Sequence, residues 1–149
     1  KEVIMPEIKE SIVIKSPVSK VFELVTNPAN WSRYVTNLVD VKGMSPDIPA
    51  RGSTFTYQYK MMGFKFEGKG TVTENVKDKS FSLSFESVVP IKEGYEFLDR
   101  GNSTEFFFYL EFGIPGPMGA IFDNRLIEKL SVMDAKNILE KIKAMCEWS

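Results

Sequence analysis

From Phe55 to Met61 apolar and polar side chains alternate without a break. Phe55, Tyr57, Tyr59 and Met61 fall on one side of an extended chain, and Thr56, Gln58 and Lys60 on the other. Period-two alternation is the mark of a strand with one apolar face. The same rhythm returns at Phe64, Phe66, Gly68, Gly70, Val72 and Val76, at Phe81, Leu83 and Phe85, at Tyr95 and Phe97, and at Phe106, Phe108, Leu110 and Phe112. Met62-Gly63, Asp78-Lys79 and Gly101-Asn102 supply turns between these runs, and Pro90 ends one of them. Gly68 and Gly70 in mid-strand mark a bend, a bulge or the close approach of another backbone. Two further strands are expected, over Glu7 to Lys15, where β-branched residues cluster, and over Leu38 to Lys42.

A different rhythm separates those first two strands. Ser16-Pro17 reads as a helix start, with Ser16 as N-cap. Val18, Val21, Phe22 and Val25 then form one apolar helical face that ends near Asn27. Asn27-Pro28 opens a second short helix over Pro28 to Tyr34. Pro115-Gly116-Pro117 stops the last strand, and Met118 to Trp148 reads as one helix of about 45 Å. Its expected inner stripe is Phe122, Leu126, Leu130 and Met133, continued by Ile138, Ile142 and Met145, while Glu128, Lys129, Lys136, Glu140, Lys141 and Lys143 face water. The order is strand, two short helices, about six antiparallel strands, one long helix. A helix with an apolar stripe has to cover one face of such a sheet, so the class is α+β.

Composition narrows this picture. A chain of 149 residues, with 43% hydrophobic and 26% charged residues, fits one globular domain over 1–149. Twelve phenylalanines and 13% aromatic residues overall imply either a heavily packed core or a lined cavity. A net charge of −1 offers no basic footprint for nucleic acid and no polybasic patch for anionic lipid. No apolar run reaches the ~18 residues of a membrane span, and Lys1 to Glu10 contains no signal-peptide core. One cysteine, Cys146, cannot form an internal disulfide, which makes the cytoplasm the expected compartment. The chain has no histidine, so Ser-His-Asp, Cys-His and zinc-histidine sites are excluded, and neither metal nor cofactor is expected.

The segment Ser16-Pro17-Val18-Ser19-Lys20-Val21-Phe22-Glu23-Leu24-Val25, continued by Thr26-Asn27-Pro28-Ala29-Asn30-Trp31, resembles the START-like superfamily, the polyketide cyclase/dehydrase and lipid-transport group. Its pattern is a proline, a two-residue gap, a Val-Phe pair, and an Asn-Pro before a tryptophan. Pro49-Ala50-Arg51-Gly52-Ser53-Thr54-Phe55 is similar to the family's loop into the third strand. The resemblance spans essentially the whole chain. It implies a helix-grip fold: a curved antiparallel sheet of about seven strands around a long C-terminal helix, two short helices after strand 1, and an internal cavity. Members bind lipids, sterols, plant hormones or polyketides, and some are cyclases. The fold does not choose among these.

Candidate ligand-binding residues are Phe55, Tyr57, Tyr59, Phe66, Phe81, Phe85, Tyr95, Phe97, Phe106 and Phe108 on the strands, with Phe122, Arg125 and Leu126 on the long helix. The plain alternative is that these rings fill the core. Polyketide cyclases of the superfamily use arginine and tyrosine to polarise enolisable carbonyls, and Arg125 is placed to point inward; its plain alternative is a solvated or salt-bridged surface residue. Trp31 is read as an anchor for the second short helix and Tyr34 as a pocket candidate. No catalytic acid is assigned: Asp99, Glu74, Asp123 and Glu128 stand in no distinguishing pattern. The loops Gly43 to Gly52 and Ile91 to Gly94 occupy the region that closes over ligand in the superfamily's hormone receptors, but the receptors' histidine-bearing latch is absent. The expected function is binding or carriage of a small hydrophobic ligand, by a monomer with no integral membrane association. The alternatives are a cyclase/aromatase-type enzyme and a cochaperone-like interaction module, the latter through an outward patch at Phe107 and Tyr109.

Overall fold

The computed structural model describes residues 7–61, 63–86, 90–114, 120–121 and 123–148. β1 (Glu7–Ile14) is followed by α1 (Val18–Thr26) and α2 (Pro28–Tyr34). Six strands come next: β2 (Leu38–Lys42), β3 (Thr54–Met61), β4 (Phe64–Val76), β5 (Ser80–Glu86), β6 (Ile91–Asp99) and β7 (Thr104–Phe112). A single long helix, here α3 (Asn124–Glu147), closes the order. The seven strands form one antiparallel sheet in the order β1-β7-β6-β5-β4-β3-β2. β3 through β7 are sheet neighbours in chain order with few residues between them, as antiparallel hairpins allow. The one long excursion carries the chain from β1 across both short helices to the opposite edge.

Register puts like with like on the concave face. Phe81, Tyr95 and Phe108 lie opposite one another across β5, β6 and β7, and so do Leu83, Glu93 and Leu110. Phe55 stands opposite Gly70, and Tyr57 opposite Gly68. A Cβ at Gly70 would fall 2.2 Å from the Phe55 ring, and one at Gly68 1.8 Å from the Glu86 carbonyl oxygen. The two glycines therefore let β3 rings lie across β4, with the Tyr57 hydroxyl donating to that Glu86 oxygen at 3.1 Å. Of the expected alternatives, close approach of another backbone is found at Gly68, where the Glu86 carbonyl occupies the space of a side chain, while at Gly70 the Phe55 ring does so.

Three local expectations need correction. Ser16 does not cap α1: Pro17 holds the N-cap position without a side-chain bond, and the buried Ser16 hydroxyl has no partner among the described residues. Ile91 to Gly94 is not a loop, because β6 begins at Ile91 and pairs along its length with β5 and β7. The last helix starts at Asn124, where Asp123 accepts from the Arg125 amide at 2.7 Å as an N-cap. Met62, Pro115-Gly116-Pro117, Met118, Gly119 and Phe122 lie outside the described residues.

The inner stripe of α3 also differs. Ile127, Ser131, Ala135, Leu139, Ile142 and Cys146 are buried, whereas Leu126 is 43% and Met133 52% exposed. The inward line runs one residue further along the chain than the most apolar line in the helix's first half. Ser131 and Ala135 carry it there, and neither registers as hydrophobic patterning. At its far end α3 is tied to β1 by the Lys143 ammonium, which donates to the Val13 carbonyl at 2.9 Å and to Glu147 at 2.6 Å. Glu147 also accepts from the Lys15 amide at 2.7 Å.

Candidate functional site

Between the concave sheet and α3 the interior divides. At one end α1 and α2 deliver Val21, Phe22, Val25 and Trp31 onto the strand rings, and everything there is buried. Phe22 meets Phe97 edge-on at 5.1 Å, Trp31 tilts over Phe55 at 5.0 Å, and Tyr95 stacks on Phe106 at 5.6 Å. At the other end α2 reaches only the floor, and α3 crosses the sheet with Ser131, Asp134, Ala135 and Ile138. A cavity of about 980 Å³, counting its open mouth, remains there.

Its walls are mostly apolar. Tyr57, Tyr59, Met61, Phe66, Leu83, Phe85, Ile91, Phe108, Leu110 and Phe112 come from the sheet, and Trp31, Tyr34, Val35 and Leu38 from α2 and the chain after it. The half-buried members, such as Met61, Phe66, Ile91 and Ile138, mark the open side. Trp31 and Tyr34 form the floor. Their indole N–H and hydroxyl both donate to the Val25 carbonyl, at 3.1 and 2.8 Å. That carbonyl lies in the last turn of α1, where helical carbonyls lack partners. Trp31 is thus both the anchor expected of it and part of the wall.

A polar group interrupts the apolar lining. Glu93 follows Ile91 and precedes Tyr95 on the inward face of β6, and it is only 7% exposed. The Tyr95 hydroxyl donates to its carboxylate. Burial, partly opposed by that bond, pushes the Glu93 carboxyl up to about 7. Burial and then the Glu93 charge push the Tyr95 phenol well above its usual value, and the same two causes act on Tyr34. Across the cavity Asp134 of α3 accepts from the Asn37 amide at 3.2 Å. Its carboxyl is raised by burial, and Asn37 and Lys141 partly offset that rise. Tyr59 feels both carboxyls and is pushed up to about 12, chiefly by burial.

Six of the candidate ligand residues line this cavity: Tyr57, Tyr59, Phe66, Phe85, Tyr95 and Phe108. Phe55, Phe81, Phe97 and Phe106 lie in the filled end, where rings from α1, α2 and neighbouring strands already contact them. Leu126 sits on the outer side of α3, and Arg125 points to solvent with its guanidinium 3.6 Å from Asp123. The other arginines, Arg33, Arg51 and Arg100, are exposed too. The Gly43 to Gly52 loop is fastened at the filled end: the Ser45 amide donates to Thr54 at 2.9 Å, and Asn75 donates to the Pro49 carbonyl at 2.8 Å. None of its residues lines the cavity. Among the described residues no cluster of acidic, cysteine or histidine side chains could hold a metal ion. Cys146 is buried, and burial pushes its thiol up to about 11, outside the range of a ready nucleophile.

Glu93, Asp134, Ser131 and Ala135 escaped sequence reasoning. Alternation could have found Glu93, since positions 91, 93, 95 and 97 share one face, but treating Ile91 to Gly94 as a loop hid that register.

The sequence matches the family model described as polyketide cyclase / dehydrase and lipid transport over residues 5–147. The chain belongs to that family. The same fold recurs in distant structures. An aromatase/cyclase from a Streptomyces species superposes with TM-score 0.70 at 10% identity, over 97% of this chain and 94% of that one. A START superfamily protein from Mycobacterium smegmatis gives 0.72 at 10% identity, over 95% and 97%. A protein from Thermus thermophilus gives 0.76 at 16% identity, over 93% and 94%. Identities this low establish the helix-grip fold alone. No curated protein is similar enough in sequence to count as a match. No helix among the described residues is long and apolar enough to cross a membrane.

Proposed function

We propose that this family member binds a small hydrophobic ligand in the cavity between the sheet and α3. The observation that carries this reading is the cavity itself, walled by rings and aliphatic chains where α3 crosses the sheet with Ser131 and Ala135. Small-molecule sites are typically concave, with apolar walls and a few placed polar groups. Met61 in its wall adapts to different shapes.

Native mass spectrometry of the protein as purified, with organic extraction, identifies any ligand carried from the cell. Titration with an uncharged fluorescent probe such as Nile red then tests the site. Saturable binding is expected, weakened at least about tenfold by Ala135→Phe, with the circular dichroism spectrum unchanged. Equal binding by that variant, or no binding by the wild type, refutes the reading.

One observation favours a second reading, cyclase-type chemistry. A buried carboxyl raised to about 7 beside two phenols can exchange a proton near neutral pH. Against it, no arginine lines the cavity among the described residues. Turnover of an enolisable polyketide-like probe that disappears in Glu93→Gln would support it, and turnover that is unaffected would remove it.

A further inference from the structure

Charge inside the cavity has one sign. Of its described lining residues, Glu93 and Asp134 are acids and none is a lysine or arginine. The two acids approach from opposite walls, β6 and α3, and Tyr59 feels both. The groups facing Glu93 are Tyr95 on its own strand, Tyr34 from α2 and Tyr59 from β3. Its cross-strand neighbours on β5 and β7, Leu83 and Leu110, are apolar. The cation that acts on Asp134 is Lys141, which does not line the cavity.

We infer that the ligand is a lipophilic amine, its ammonium head set between Glu93 and Asp134 and its hydrocarbon body among the rings. This deepens the cavity-binding reading and rests on it. A buried carboxylate without a cation is costly, and a cationic ligand supplies what the protein does not. An anionic head, as in a fatty acid or a phosphate, would meet two acids and no counter-charge. A neutral alcohol would find hydrogen bonds but no ion pair. The raised carboxyl of Glu93 adds a dependence on pH, because ammonium binding requires the ionised form.

Titration calorimetry of the full chain with octylamine, octanol and octanoate tests this. At about pH 8, where the ammonium and an unperturbed carboxylate are both charged, octylamine should bind at least about tenfold tighter than octanoate, with octanol between. Glu93→Gln should bring octylamine to the level of octanol. In the wild type, the advantage of octylamine over octanol should shrink on going from about pH 8 to about pH 6. That measurement keeps the inference testable if the variant fails to fold. Octanoate binding as tightly as octylamine overturns it. So does an amine advantage that survives both Glu93→Gln and Asp134→Asn, or one that does not change with pH. If octanol binds without any preference for the amine, only this inference falls. If none of the three binds, the cavity-binding reading falls with it.

Discussion

The same five strands, β3 to β7, run through both ends of the interior, yet one end is solid and the other hollow. Their alternation and their aromatic content do not change along the way: Phe55, Phe81 and Phe106 belong to the filled end, and Phe66, Phe85 and Phe112 to the cavity. What changes is the opposing layer. Two short helices press Val21, Phe22 and Val25 into one end, while at the other α2 supplies only the floor, through Trp31 and Tyr34, and α3 crosses with a serine and an alanine on its buried line. A cavity in this architecture is therefore made by the lid. The rings of the sheet are equally suited to packing and to binding, and small residues on α3 decide which they do.

The largest expected effect breaks the comparison at its filled end. Phe106 is fully buried, stacked on Tyr95 and tilted against Phe97. Phe106→Ala should cost about 3–5 kcal/mol in denaturant unfolding. Phe66→Ala, at a half-buried cavity wall, should cost clearly less, because the ring it removes is already short of partners on one side. Equal losses at the two positions would mean that the hollow end is packed in solution.

A middle-sized effect belongs to the polar group that sits where the two ends meet. Glu93 has its carboxyl raised from 4.5 to about 7 by burial. Between those values the folded chain holds a proton that the unfolded chain releases. The stability tied to this group is fully present below the unfolded value and is lost as pH rises through about 7. The loss amounts to about 3 kcal/mol, an order-of-magnitude figure. Unfolding measured from about pH 5 to about pH 8 should therefore show a decline that Glu93→Gln flattens. A wild-type profile as flat as the variant's would mean that the carboxyl is solvated and the cavity wet around it.

How much of this was legible depends on which face carried the signal. Strand bounds were readable to within a residue at Thr54–Met61, where Phe55, Tyr57, Tyr59 and Met61 alternate as large apolar residues, and at Leu38–Lys42, where a bulge between Leu38 and Asp40 breaks the alternation. The order of elements and the family signature at Pro17 to Trp31 together named the helix-grip fold. The site was half readable. Rings announced the sheet wall, but no periodicity distinguishes a ring that packs from one that lines, because that depends on residues distant in sequence. The two features that define the cavity are departures from hydrophobic pattern: an acid at an inward strand position, and small residues on an inward helical line. Reading by hydrophobicity discards both.

The smallest expected effect sharpens the comparison at the lid. The most apolar line of the first half of α3 passes through Leu126 and Met133, both largely exposed, and the buried line passes through Ile127, Ser131 and Ala135. If that phase holds, Leu126→Gln removes nothing from the interior and should change stability by no more than about 0.5 kcal/mol. Binding of a neutral probe should be unaltered. Ile127→Ala, one position on and fully buried, should cost about 2–5 kcal/mol. The contrast between adjacent residues is the sensitive quantity, since a helix turned by one residue would reverse it. A large loss at Leu126 with a small one at Ile127 would put the apolar stripe against the sheet. It would also swing Ser131 and Ala135 off the cavity, and with them the reason the cavity is open.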